Sequence, residues 1–177
     1  MRWSLLLLLF GCGTPHVRDI VFPAVGIDAD GGVRGYMELR SLTTTNRQAI
    51  ERLIGLRVLD STGREYIVES VKEIEPPGMF SDFAGTKRFQ VELTLRRGRS
   101  MQPRDVVALI AESVRTKPGY LDLTEQGGNA VATELASKNS VAEVATLLTG
   151  KYEHNRVVSE SSDRANRRVE ELAKRGE

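Results

Sequence analysis

The sequence predicts an α+β fold, with an antiparallel sheet of about five strands in the N-terminal half, packed by helices mainly from the C-terminal half. Three observations lead there. Phe89, Val91, Leu93 and Leu95 alternate with Gln90, Glu92 and Thr94, the period of a half-buried strand. Two earlier segments each read as strand, turn, strand. From about residue 100 the apolar spacing becomes helical. A run of strands followed by a run of helices favours α+β over an alternating parallel sheet.

Residues 17–42 read as the first hairpin. Ile20-Val21-Phe22 is apolar, Pro23 suggests an edge position or bulge, and Asp28-Ala29-Asp30-Gly31-Gly32 has turn chemistry. Val33, Gly35, Met37 and Leu39 then alternate with Arg34, Tyr36, Glu38 and Arg40, which predicts a strand. Thr43-Thr44-Thr45-Asn46 is expected to cap a helix over 47–54, with Ile50, Leu53 and Ile54 as its apolar face and Gly55 ending it. A second hairpin enters at Arg57-Val58-Leu59, turns at Asp60-Ser61-Thr62-Gly63 and returns over 65–74. Glu75-Pro76-Pro77-Gly78 stops that strand, and a loop runs to Gly85.

In the second half, Ser100 or Gln102 caps a helix with Pro103 in its first turn and Val106, Val107, Leu109, Ile110 and Val114 on one face. Pro118-Gly119 ends it, Tyr120–Leu123 reads as a short strand, and Gly127-Gly128 as a flexible joint. Helices are expected over 129–137 and 141–149, the latter opened by a Ser140–Glu143 capping box and closed by Gly150. Residues 161–175 read as a last helix, with Ala165, Val169 and Leu172 on its apolar side.

The composition is that of an ordinary globular chain, 40% hydrophobic and 28% charged over 177 residues, enough for one core without staples. The 25 Lys and Arg nearly balance 24 Asp and Glu, so long-range steering toward nucleic acid is not expected and charge-driven contacts must be local. The single cysteine, Cys12, rules out an intramolecular disulfide.

That cysteine ends an N-terminal pattern. Arg2 supplies a positive start, and Leu5–Phe10 is an apolar run far below the roughly 20 residues of a membrane-spanning helix. Leu9-Phe10-Gly11-Cys12 resembles the lipobox of bacterial lipoproteins. The resemblance implies diacylglycerol on the Cys12 sulfur, cleavage between Gly11 and Cys12, and usually acylation of the new amine. Two or more chains would hold the protein stably to a bilayer. Gly13 follows where an Asp would favour inner-membrane retention, so the expected address is the outer membrane, facing the periplasm. The expected organisation is a signal peptide over 1–11, a lipidated tether over 12–16, an α+β domain over 17–150 and a helical extension over 151–177.

No catalytic, cofactor or metal motif stands out. His16 lies in the tether, and His154 has no nucleophile elbow near it. Asp28 and Asp30 lack the further acidic ligands of a calcium loop. Gly31-Gly32 and Gly127-Gly128 lack the Lys-Ser or Lys-Thr of a phosphate loop, and the Ser-Lys pairs near residues 70 and 137 lack the other elements of penicillin-binding enzymes. Met79, Phe80 and Phe83 are three large apolar side chains in one loop. They either form a partner-contacting or membrane-contacting surface or fold back over the core, the second being the default.

Ser161-x-x-Arg164-Ala165, with Leu172 and Gly176, resembles the last helix of outer-membrane-protein-A-like peptidoglycan-binding domains. The resemblance implies that Arg164 holds a diaminopimelate carboxylate. The Asp-bearing segment that precedes this helix in that family has no counterpart; Leu148-Thr149-Gly150-Lys151 stands there. The leading expectation is therefore a non-enzymatic envelope lipoprotein, held to the membrane through Cys12 and acting by contact with another envelope protein as accessory, adaptor or immunity-type factor. Peptidoglycan binding through Arg164 is the second reading and a carboxylate-dependent hydrolase the third. No cofactor is expected in any of them.

Overall fold

The computed structural model describes residues 14–74, 89–121 and 123–152. Gly11, Cys12, Met79, Phe80, Phe83, His154, Arg164 and the helix expected over 161–175 lie outside the described residues.

The fold is α+β, as the sequence predicts. Six antiparallel strands form one sheet: β1 Ala24–Ile27, β2 Val33–Tyr36, β3 Thr44–Thr45, β4 Arg57–Leu59, β5 Arg64–Glu73 and β6 Phe89–Ser100. Their order is β2-β1-β4-β5-β6-β3. Two short helices, α1 Leu39–Thr43 and α2 Ile50–Leu53, interrupt the strand region, and α3 Pro103–Thr116, α4 Glu125–Ala136 and α5 Val141–Leu147 follow it.

The two faces of the sheet bury two different cores. Val25, Ile27, Val33 and Leu59 pack against Val106, Ile110, Leu135 and Val144 of the long helices. The alternate side chains of the same strands, Ala24, Tyr36 and Val58, join Tyr66, Val68 and Leu95 in an inner core closed by Ile20, Leu42 and Leu53. Strand β1 is therefore buried on both faces throughout and shows no wet side. By contrast, β6 runs dry and wet in strict alternation from Phe89 to Leu95, as its sequence predicts.

Several expectations change. The first strand begins after Pro23, not at Ile20, and Ile20 packs into the inner core instead. The strand expected to continue to Arg40 stops at Tyr36. There Ser41 Oγ accepts from the Glu38 N–H at 3.4 Å and donates to the Glu38 carbonyl at 2.6 Å, while Thr43 donates to the Leu39 carbonyl. These local bonds turn the backbone into α1, and Met37 and Leu39 are left exposed. Of the expected Thr-Thr-Thr-Asn cap only Asn46 caps, accepting from Ala49 N–H at 2.9 Å; Thr44 and Thr45 pair with Gln90 and Phe89. Ile54, expected on the apolar face, is exposed.

The segment read as a strand near Tyr120 is a 3-10 turn, Pro118–Leu121. Gly127-Gly128, read as flexible, forms the first turn of α4, where Thr124 Oγ1 accepts the Gly127 N–H at 3.2 Å. A Cβ on Gly128 would stand 2.4 Å from Cβ of Pro118, so absence of a side chain lets that turn close onto the preceding one. Gly150 does not end the last described helix; a π turn carries the chain from Leu148 to Tyr152.

Two glycines at positive φ separate backbone strain from close contact. Gly55 (φ 81°) has its nearest neighbour, Ala29 Cβ, at 4.0 Å from a built Cβ. Gly63 (φ 84°) would bring a Cβ within 2.2 Å of the Met101 carbonyl oxygen. Gly55→Ala is expected to cost about 1 kcal/mol, the left-handed backbone penalty alone. Gly63→Ala should cost about 3 kcal/mol, because the α3 entry must also shift. Urea unfolding midpoints of the two variants check the difference.

Candidate functional site

Two surface features of the described residues have the chemistry of contact sites. The first is a cleft between the β1–β2 hairpin and the α1–α2 segment. Asp28 and Arg34 come from the hairpin, Ser41 and Arg52 from the segment opposite, and Tyr120 closes one end. Asp28 is held by its turn: Oδ1 accepts the N–H groups of Asp30 at 3.1 Å and Gly32 at 2.6 Å. The Tyr120 hydroxyl donates to Asp30 Oδ2 at 3.0 Å. Desolvation, that hydrogen bond, and the Asp28 and Asp30 charges hold the Tyr120 phenol above its usual range, so it remains a donor. The Arg34 guanidinium lies 5.7 Å from the centroid of the Tyr36 ring, a cation–π distance.

The cleft holds about 130 Å³. That is below the 300 Å³ or more typical of a small-molecule site, and suits a single inserted side chain. The Thr44 hydroxyl oxygen at its wall is buried without a hydrogen-bond partner among the described residues. The same wall is paired through Thr44 and Thr45 to Gln90 and Phe89, where residues 75–88 rejoin the sheet. At the other side of that gap Ile74 is exposed and donates its N–H to the Gln90 carbonyl at 3.1 Å. Ile74 and Phe89, the described residues on either side of the segment with Met79, Phe80 and Phe83, therefore lie on the cleft's side of the sheet.

The second feature is a recess of about 420 Å³ at the other end of the β5–β6 pair, lined by Arg64, Glu65, Tyr66, Arg97, Arg99 and Ser100. The register shifts there, between Arg64 and Tyr66. Glu65, 5% exposed, fills the irregularity: Arg57 Nε donates to Oε1 at 2.6 Å and the Arg99 N–H to Oε2 at 2.9 Å. A Cβ on Gly98 would stand 2.4 Å from Oε2, so glycine makes room for the carboxylate. Burial by itself would raise the Glu65 pKa. The Arg99 N–H, the Arg57 hydrogen bond and both arginine charges outweigh it and hold the carboxyl below its usual range.

Both buried acids are engaged as hydrogen-bond acceptors. Asp60 is fully enclosed, with Oδ1 accepting from Thr62 N–H at 2.9 Å, Thr62 Oγ1 at 2.7 Å and Arg64 N–H at 2.9 Å. Both carboxylates serve the turn and the bulge as acceptors. Among the described residues no three His, Cys, Asp or Glu side chains converge to hold a metal.

The residues singled out from the sequence divide plainly. Asp28 and Asp30 form the expected turn. The His16 N–H is accepted by Asp19 Oδ2 at 2.8 Å, making it the cap of a 3-10 turn, Val17–Asp19. Gly11, Cys12, Met79, Phe80, Phe83 and Arg164 lie outside the described residues. Sequence reasoning missed Glu65, Arg97 and Arg99. The available signal was the break in the β6 alternation after Leu95, where Arg96-Arg97-Gly98-Arg99 follows.

Glu65→Gln is expected to lower stability at pH 7 by about 1–3 kcal/mol, the cost of weakening a buried charged acceptor. Because the folded pKa lies below the unfolded value, the Glu65 contribution is complete above about pH 4.3 and is lost as pH falls through the folded pKa. The variant should therefore lose less stability than the parent between pH 5 and pH 3, as urea titrations at each pH will show (both pH limits are about one unit from that midpoint).

No protein-family model matches the chain, and searches of curated proteins and of solved structures each return no match.

Proposed function

We propose that this protein is a bacterial envelope lipoprotein, anchored by lipid on Cys12, that works by contact with another envelope protein and not by catalysis. Its address is the outer membrane, facing the periplasm. The observation that carries the reading is the polarity of the β5–β6 pair. At the Arg64 end of β5 the tether side of the chain is bound in: Tyr66 Oη donates to the Asp19 carbonyl at 2.9 Å, and Ser61 Oγ to the Val21 carbonyl at 3.0 Å. Pro15 is already buried. The opposite end, where residues 75–88 depart, is about 30 Å away over the ten residues Arg64–Glu73.

A lipid on Cys12 would bring the Asp19 end of the domain toward the bilayer, and Ile74 and Phe89, the described residues on either side of the segment with Met79, Phe80 and Phe83, belong to the other end. That arrangement favours a protein partner over the lipid surface for those apolar side chains. The cleft wall supplies charges of both signs, Asp28 and Arg52, for register. No helix of the described residues is long and apolar enough to cross a membrane, so attachment in this reading falls to the lipid.

Two measurements test the two parts. Cys12→Ser is expected to abolish acylation, read as loss of the acyl mass increment, and to release the protein from the membrane fraction. Retention without acyl mass would overturn the anchor. A photo-crosslinking amino acid at Phe80 should give one discrete protein adduct in intact cells. The same group at Ala136, on the exposed end of α4, should give none. Equal adduct patterns at the two positions would overturn the contact reading.

A further inference from the structure

Three arginines line one recess at the Arg64 end of β5, and a fourth belongs to the N-terminal turn bound to the same strand. Arg64, Arg97 and Arg99 line the 420 Å³ recess, and exposed Arg18 sits in the turn whose last residue, Asp19, accepts from Tyr66 in the same recess. Arg64, Arg97 and Arg99 are exposed; the Arg99 charge acts on Glu65 and the Arg64 side chain on Tyr66, but no described carboxylate lies within ion-pair distance of the three. The nearby acids are already committed. Glu65 is buried against Arg57, Asp60 is enclosed in its turn, and Asp19 Oδ2 accepts the His16 N–H. The chain as a whole is nearly neutral, with 25 basic and 24 acidic side chains, so this positive surface is a local concentration of charge.

Its position matters as much as its sign. Thr14, the first described residue, follows Cys12 by two residues, a reach of at most about 7 Å. The recess is bounded by the strand residue that binds Asp19, five residues further along. The chain from Cys12 to Asp19 spans seven residues, at most about 25 Å fully extended, so a bilayer holding acyl chains on Cys12 lies on the side of the domain that carries these arginines, and anionic headgroups there would attract them.

We infer that the recess formed by Arg64, Arg97 and Arg99, with Arg18 at its rim, is a docking surface for the phosphate groups of anionic phospholipids in the anchoring membrane. Guanidinium groups offer paired donors to phosphate oxygens, and three around one recess give the multivalency that a laterally mobile lipid needs. The docked surface fixes the domain's tilt, so that the β5–β6 pair carries its far end away from the membrane. This inference rests on the lipid-anchor reading.

The test uses the acylated protein. Cys12 carries lipid on its sulfur, so Ser100→Cys in the recess provides a unique site for a fluorophore, and Ala136→Cys provides the control. Intact mass first establishes acylation; a chain without acyl mass overturns both the anchor and the docking. The acylated, labelled protein is then placed in vesicles of phosphatidylcholine alone or mixed with phosphatidylglycerol, each containing a headgroup quencher. Quenching at position 100 should be stronger with phosphatidylglycerol, fall in high salt, and leave position 136 unaffected.

Each arginine neutralised is expected to weaken docking about fivefold, so Arg97→Gln with Arg99→Gln should weaken it about 25-fold while acylation and vesicle attachment persist. Equal quenching on neutral and anionic vesicles, or no change in the double variant, would overturn the docking while leaving the anchor intact. Should the double variant unfold, the lipid-composition and salt comparisons on the labelled parent chain still decide.

Discussion

Strand β1 is only four residues long, yet both of its faces are covered. Val25 and Ile27 face the three long helices. Between them Gly26 faces the inner core, where a Cβ would stand 2.7 Å from the Tyr36 ring and 3.0 Å from a Leu56 methyl. This double burial is the constraint on which the rest depends. A strand with no wet face cannot lie at the surface of a flat sheet. The sheet must curl to enclose Tyr36, Val58 and Tyr66 on one side while presenting Leu59 and Val33 to helices on the other. The short helices α1 and α2 close the curl, and the polar cleft is the seam that remains between them and the hairpin.

The same constraint gives the molecule two ends. Because β1, β2 and β4 are short and β4 pairs with β5 only over Glu65–Ile67, the long β5–β6 pair extends past them toward Glu73 and Phe89. The Arg64 end meets the N-terminal turn and holds the Glu65–Arg57 pair beside its irregular register. The other meets β3 and the cleft. Charge is arranged to match. Buried carboxylates at the first end are engaged by backbone N–H groups and by Arg57, while Arg64, Arg97 and Arg99 remain exposed around them.

What could be read in the sequence follows from how local its cause is. The alternation of β6, the Asp60–Gly63 turn and the apolar face of α3 are each decided by residues within one or two turns of chain, and each was legible. The pairing of Thr44 and Thr45 with Phe89 and Gln90 depends on residues about 45 positions apart, and two threonines carry no periodicity of their own. Strand β1 was misplaced because both its faces are dry, so no alternation marks it. The alternation after Val33 misled for the opposite reason: Ser41 and Thr43 bond to the local backbone and end the strand before its pattern does. Of the site, the Asp28 turn was legible; the commitment of Glu65 to a bulge was not, since the shift in register appears only once β5 and β6 are paired.

The division into two cores also governs the order in which the chain can acquire structure. The inner core needs Phe89–Leu95 to cover Ile20, Tyr36 and Leu42, and the outer core needs residues as late as Leu148 to cover Val25 and Ile27. Since β1 contributes to both, neither layer is complete while the other is missing. An emerging polypeptide therefore has no early stopping point at which its first strands are fully sheltered, and the slow, non-local closure expected of such a topology waits until Leu148 has been made. Strand β1 waits, half covered, for the helix α5 that closes over it.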